Sequence, residues 1–340
     1  MGIQNPQLTA DREHANSVQI TAKLTNHIYN QHQDIAAQDL QKDMSDIKKN
    51  VQVEKNKKFQ AELDNLRERM NNHERAYVEG AKEKGASSWL SALPIKTIGY
   101  ALNKQEFVDA IHLRYGWEVE GTPAICVCKK RNSIDHSLIC KRGGYTSLRH
   151  NSLRDTEAQI MKEVCRDVRV EPQLLPDYRT NATGNTADRA RLDVSARGLW
   201  SRCEKTYFDI RITHPLSPTY SQKTRVEIYQ LHENEKKRKY NERIVQVEKA
   251  TFNPLVFTTS GGMAPECDRV NKRLAEMISR KRKEPYTIVL NHIRTKLRFA
   301  LLRSTLEAIR GFRGRYSDKD VKELMDTDIS LIPTVVTYEV

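Results

Sequence analysis

A chain of 340 residues with 38% hydrophobic content is long enough for one main core plus extensions, and falls short of two full domains. Its formal net charge of +13 points to a polyanionic partner, because clustered Lys and Arg release counterions from phosphates, and nucleic acid is the first expectation. There is no apolar run of about 18 residues, and the N-terminal MGIQNPQLTADREHAN lacks the apolar core of a signal peptide; no membrane is expected, and the protein reads as soluble and intracellular.

Residues 1–75 read as a polar helical N-terminal extension. Leu40, Met44, Ile47 and Val51, then Phe59, Leu63, Leu66 and Met70, recur at four-three-four spacing. This predicts two amphipathic helical stretches, docked or solvated, with self-association of these helices as the alternative. Two short heptad blocks fall below the three or four that argue for a coiled coil. Residues 76–121 read as a helical linker region in which GASSWLSALPI and EFVDAIHLRYGW turn aromatic and apolar, so that folded structure is expected to begin near Gly85.

Six cysteines are too few and too unevenly spaced for a secreted disulfide scaffold, so reduced thiols are expected. Four candidate metal ligands crowd into 122–150, where CVCKKRNSIDHSLIC supplies Cys126, Cys128, His136 and Cys140. Three thiolates and an imidazole suit a tetrahedral structural Zn²⁺ site, whose binding energy substitutes for the core that so short a segment cannot build. Plain buried thiols are the alternative, and Cys165, Cys203 and Cys267 are expected at core positions.

The segment 151–262 alternates between periods. NSLRDTEAQIMKEV places Leu153, Ile160, Met161 and Val164 on one helical face, with Asn151 or Ser152 suited to cap it. CRDVRVEP, ARLDVSA and KTYFDIRIT follow as three runs rich in β-branched and aromatic residues. A long charged helix over 222–248 precedes a fourth run, FNPLVFTT, closed by Gly261 and Gly262, so the order is α, β, β, β, α, β. Two C-terminal helices are predicted within 263–315, over 264–281 and 286–310, with a tail over 316–340. The turn between them carries Arg280, Lys281, Arg282 and Lys283, which suit either a solvated loop or contacts to nucleic-acid phosphates.

Asp193 and Asp209 each interrupt one of these apolar runs. A buried, unpaired carboxylate costs several kcal/mol, so each needs a guanidinium, an ammonium, backbone donors or a metal. Two carboxylates on neighbouring strands repel unless a divalent cation lies between them, and oxygen ligands of this kind suit Mg²⁺. The pair reads as a magnesium site for phosphodiester chemistry. The alternative is that each pairs with Arg191, Arg197 or Arg211.

A helix, strands carrying one Asp and then an Asp-x-(Lys), and a crossover helix to a fourth strand resemble the restriction-endonuclease-like nuclease fold. The expected architecture is therefore α/β, an αβββαβ core of restriction-endonuclease-like type with a small zinc knuckle and flanking helices. Arg211 stands where that pattern has lysine; it stays protonated, so it could contact a phosphate but could not deprotonate water. Lys236 and Tyr240, four residues apart on the charged helix, share a face that could reach the aspartates, while Lys237 points about one side chain away. Glu157 projects with Leu153 and Ile160 and is the candidate third acid, ahead of Glu163; a rim salt bridge is its other reading.

Over about residues 75–315, the segments EKGASSWLSALPI, LNKQEFVDAIHLRYGW, DHSLICKRGGYTSLRHN, EVCRDVRVEP, ARLDVSARGLW, YFDIRITHP, HENEKKRKY and PLVFTTSGGM occur in one order. Together they resemble the C-terminal region of non-LTR retrotransposon reverse transcriptase proteins that carry a restriction-enzyme-like endonuclease. The resemblance implies a zinc knuckle at Cys126, Cys128, His136 and Cys140, two metal-binding acids at Asp193 and Asp209, and the helix-borne Lys236 and Tyr240. His150 matches a further family motif with an expected structural job. It also implies a nuclear Mg²⁺-dependent enzyme that nicks target DNA to prime reverse transcription, with element RNA and a reverse transcriptase acting in trans as further partners. Two features depart from the pattern: Leu192 replaces the usual proline before the first acid, and no Tyr-x-Asp-Asp polymerase motif occurs. The chain is accordingly expected to be an endonuclease-bearing remnant, a domesticated gene or part of a longer one. A binding protein that has lost cleavage is the rival expectation.

Overall fold

The computed structural model describes residues 6–31, 37–176 and 190–311, so the expected tail at 316–340 lies outside the described residues. Contacts divide the chain into two units, with the boundary between Asn72 and His73.

The first unit is a helical hairpin of α1 (Pro6–Tyr29) and α2 (Ala37–Arg69). The two stretches expected over 40–51 and 59–70 are one continuous helix, because VEKNKK between them contains no Gly or Pro to break it. Lys23 pairs with Asp43 and Lys55 with Glu13, a descending register that makes the helices antiparallel. Of the expected apolar stripe, Val51 is buried, Met44, Ile47, Leu63 and Met70 are half-buried, and Phe59 and Leu66 are exposed. Leu40's side chain lies outside what is described. No described helix is long and apolar enough to cross a membrane.

The second unit is α/β. Its first layer contains α3 (Asn72–Lys82), the short α4 (Ser88–Ser91), α5 (Lys104–Tyr115) and α6 (Ile134–Ile139). α7 (Tyr145–Lys162) leads into β1 (Arg166–Val170), β2 (Val194–Arg197) and β3 (Lys205–Thr213). α8 (Arg225–Arg243) crosses over to β4 (Thr251–Thr258), and α9 (Pro265–Arg282) and α10 (Tyr286–Arg310) follow. Strands pair in chain order as a mixed sheet: β1 with β2 and β2 with β3 antiparallel, β3 with β4 parallel. β4 is an edge strand, where Pro254, opposite Asp209, is tolerated for lack of a further neighbour to bond.

α7 begins at Tyr145, so Asn151 and Ser152 lie inside it and cap nothing. Gly143 and Gly144, at φ of 79° and 72°, turn the chain out of the cysteine segment and allow this early start. That earlier start puts His150 on the helix. α8 opens with a capping box in which Thr224 and Glu227 bond each other's backbone amides, as its charged, weakly amphipathic sequence requires.

One face of the sheet, through Val194, Ala196, Phe208, Ile210, Leu255 and Phe257, packs on α7, α9 and the first half of α10. The second half of α10, through Phe299, Leu302, Leu306 and Ile309, packs with Tyr77, Trp89 and Leu113 of the first layer and with Leu138 of α6. α10 is thus buried on two sides, and the helices after residue 262 complete the core. On the opposite face of the sheet Tyr207, Leu192, Ile244 and Phe252 form a smaller cluster beneath α8. Cys165 and Cys267 are buried as expected, whereas Cys203 is exposed, in the turn between β2 and β3.

Candidate functional site

The cysteine segment folds as a tight turn followed by a helix. Ile125 bridges Arg131, the Cys126 amide donates to Lys130 O at 2.9 Å, and Lys129 takes a positive φ of 69° to return its own amide to Cys126 O. Ser133 caps α6 by accepting from the His136 amide at 3.1 Å, and Cys140 ends that helix. The ligand atoms of Cys126, Cys128, His136 and Cys140 all lie within 4.8 Å of one another. Cys126 Sγ and Cys140 Sγ are 3.9 Å apart, and Cys128 Sγ is 3.2 Å from His136 Nε2. A tetrahedron with Zn–S bonds of about 2.3 Å has S···S edges of about 3.8 Å, so this Cys₃His cluster could hold Zn²⁺ with little rearrangement.

Asp135, next to His136, ties the cluster to the sheet. Its carboxylate accepts from Tyr77 Oη at 2.6 Å, His73 Nε2 at 2.6 Å and His214 Nε2 at 2.7 Å, and His214, just past β3, contacts Thr259 just past β4. Burial opposes ionisation, but the bonds from His214, Tyr77 and His73 outweigh it and hold the Asp135 carboxyl down at about 2.

The second cluster sits between α7, the start of β2, the middle of β3 and α8. Asp193 immediately precedes β2; its Oδ2 accepts from the Ile210 amide at 2.5 Å and contacts His150 Nε2 at 3.2 Å. The same imidazole nitrogen lies 3.2 Å from Ile210 O. Asp209 is buried at the centre of β3, and Lys236 Nζ lies 2.5 Å from its Oδ2. Burial pushes the Asp209 carboxyl up, Lys236 opposes this, and the nearby Asp193 charge pushes it up again. The hydrogen bond to Asp193 raises the His150 imidazole against its burial. Of the residues singled out in the sequence, Lys236 pairs with Asp209, and Asp193 lies near enough for its charge to act on Asp209.

Neither aspartate is neutralised by the arginines weighed as alternatives. Arg191 faces Glu171 at 3.8 Å, Arg197 faces Asp167 at 3.5 Å, and exposed Arg211 lies in the field of His232 and Glu235 on α8. Tyr240 packs on Phe252 at 5.7 Å between ring centroids, with Lys236 Nζ 5.9 Å and Lys239 Nζ 4.9 Å from its own ring centre. Lys237 turns away to Glu266 at 2.9 Å.

Two expected members of the site lie elsewhere. Glu157 is fully buried under α9, where its Oε1 accepts from Asn271 Nδ2 at 3.4 Å; burial raises its carboxyl to about 7, and no described hydrogen bond or ion pair joins it to Asp193 or Asp209. Glu157 lies on the same helical face as His150 but seven residues, roughly 10 Å, further along α7, where that face meets α9 and the core. Of the expected basic turn, Arg280, Lys281 and Arg282 instead form the last turn of α9 and Lys283 ends it; all four are exposed, but Lys281 and Arg282 are engaged by Glu163 at the far end of α7. Glu163 is 13 residues beyond His150 in the sequence, which is roughly 20 Å along the helix axis.

Two residues gain a place the sequence reading did not assign. His150 touches Asp193 directly, and Arg154, one turn further along α7, is largely buried, pairs with Asp155 and Glu171, and feels the Asp193 charge. Their four-residue spacing on a helix was the available signal. No protein-family model matches the chain, and no curated protein matches its sequence.

Proposed function

We propose that the chain is a Mg²⁺-dependent DNA endonuclease of restriction-endonuclease-like type, descended from a non-LTR retrotransposon, which nicks target DNA. The observation that carries the reading is the Asp209–Lys236 pair with Asp193, itself bound by His150, close enough for its charge to act on Asp209. The donor set fits a hard cation: of the two carboxylates, Asp209 is compensated by the Lys236 ammonium and Asp193 by the His150 imidazole, the kind of charge a divalent ion would supply. Bound between Asp193 and Asp209, Mg²⁺ would acidify a water and offset charge on the scissile phosphate.

The chain's own groups divide the remaining work. Lys236 is within reach of Asp209 and, once displaced from its carboxylate, orients the attacking water, or deprotonates it after giving its own proton to solvent. His150 holds the Asp193 carboxylate in position and can relay a proton through Nε2. Arg211, exposed two residues beyond Asp209, contacts the DNA phosphate, and Tyr240 fixes the approach of Lys236. The Cys126, Cys128, His136 and Cys140 cluster holds a structural Zn²⁺. DNA is the direct partner; element RNA, a reverse transcriptase in trans and a nuclear location complete the reading, and the N-terminal hairpin is the candidate self-association element.

Arg211 in the slot expected for lysine favours a second reading, a basic nucleic-acid-binding protein without cleavage. Supercoiled plasmid incubated with the full chain in Mg²⁺ or in chelator separates them. Mg²⁺-dependent nicking that is lost in Asp193→Ala and Asp209→Ala, with circular dichroism unchanged, is the expected result. Nicking retained in both variants removes these acids from the site, and binding without nicking in the wild type establishes the second reading.

A further inference from the structure

We propose that a cavity bounded by Arg114 and Arg298, between the first helical layer and the exits of β3 and β4, binds one monovalent anion of the halide type, chloride in the cell. The cavity measures about 30 Å³, and Tyr77, Trp89, Leu113 and Leu138 contribute its mainly apolar walls. That is room for one small ion or one water.

Arg298, from α10, is 6% exposed. Its Nε donates to Ala86 O at 2.8 Å, while its Nη1 is buried without a partner. The stem is fixed in place: Gly261, at φ of 98°, lies so close that a Cβ there would come within 2.7 Å of Arg298 Cδ. Arg114, from α5, donates through Nη1 to Ser87 Oγ and leaves its own Nε buried and unpartnered. Burial, and then the Arg114 charge, lower the Arg298 guanidinium to about 10, which still leaves it charged at neutral pH.

The other ionisable groups at the cavity are already balanced. Arg225 pairs with Glu83 at 2.9 Å and His214 with Asp135 at 2.7 Å. Among the described residues no carboxylate forms an ion pair with Arg114 or Arg298. A nearly buried guanidinium at Arg298 beside the half-buried Arg114 is costly without an anion, because a buried charge is normally paired. An ion from solvent is the remaining compensation. The desolvation cost of an ion grows with the square of its charge, so apolar walls select a monovalent anion over sulfate or hydrogen phosphate, and two guanidiniums supply the donors.

The test is the thermal midpoint of the full chain as sodium gluconate is replaced by sodium chloride, sodium bromide or sodium sulfate at fixed ionic strength. A saturable rise of roughly 2–4 °C with either halide, smaller with sulfate and absent in Arg298→Met, is expected. If Arg298→Met does not fold, Arg114→Met serves as the comparison and should weaken the halide response. Bromide-soaked crystals should show an anomalous peak between the two guanidiniums. A rise that does not saturate and is equal in wild type and variants, a larger saturable rise with sulfate, or density without anomalous signal, as water would give, overturns the proposal.

Discussion

Lys236 Nζ on α8 lies 2.5 Å from Asp209 Oδ2 on β3, and both side chains are largely withdrawn from solvent, 16% and 8% exposed. Removing one partner of such a pair strands the other's charge, which costs about 3–5 kcal/mol, whereas removing both costs far less. Lys236→Met should therefore destabilise the fold by about 3 kcal/mol, and Lys236→Met with Asp209→Asn by clearly less. Denaturant unfolding of the two single variants and the double variant checks this; additive losses would show that the ion pair is not a coupled unit.

The His150 imidazole lies above its usual value because of its bond to Asp193, against the opposing effect of burial. A base raised in the folded state contributes stability that is fully present below its unfolded value of about 6.5 and is lost as pH rises through the folded one. Asp193→Asn removes the charge and leaves the burial, so the His150 titration midpoint should drop to or below the ordinary value. A proton NMR titration of the imidazole reads this directly, and an unmoved midpoint would mean that another group holds His150.

Glu157 presents the opposite chemistry in the core: an acid raised to about 7 by complete burial, with only Asn271 favouring its charge. The folded state binds its proton more tightly than the unfolded chain, so the stability it contributes is complete below about 4.5 and is lost as pH rises from there through 7. The loss amounts to about 3 kcal/mol. Glu157→Gln should flatten that part of the stability profile and make the protein more stable than the wild type at pH 8. Parallel profiles for the two proteins would show that Glu157 ionises as easily as an exposed acid.

Metal at the Cys₃His cluster should be held at one Zn²⁺ per chain. Its removal by chelator should release α6, and with it the anchor of Asp135 to His214 and of Leu138 to the second core. Cys128→Ser should weaken binding strongly and lower the unfolding midpoint. Cobalt loading reports the ligand set through thiolate absorption, and an unchanged midpoint in chelator would make the cluster a set of plain buried thiols.

Part of this arrangement was legible before any coordinates. KTYFDIRIT is rich enough in β-branched and aromatic residues to mark β3 over the residues it spans, and four ligand-type side chains within 15 residues mark a small metal cluster because so short a segment brings them together whatever surrounds it. Asp193 and Asp209 also announced themselves, since charges in apolar runs need partners, and Lys236 followed from sharing a helix face with Tyr240.

What the sequence by itself determined was local: period, turn chemistry, and which residue types could ligate or pair. The tertiary structure alone decided which end and which face of each helix meets the sheet. The start of α7 at Tyr145 swings His150 onto Asp193, yet the same helix carries Glu157 into the core and holds Glu163 against the basic turn, far from the acids. An apolar face encodes that a residue is buried but not against what, because burial free energy is nearly non-directional while a carboxylate's partners are set by distance.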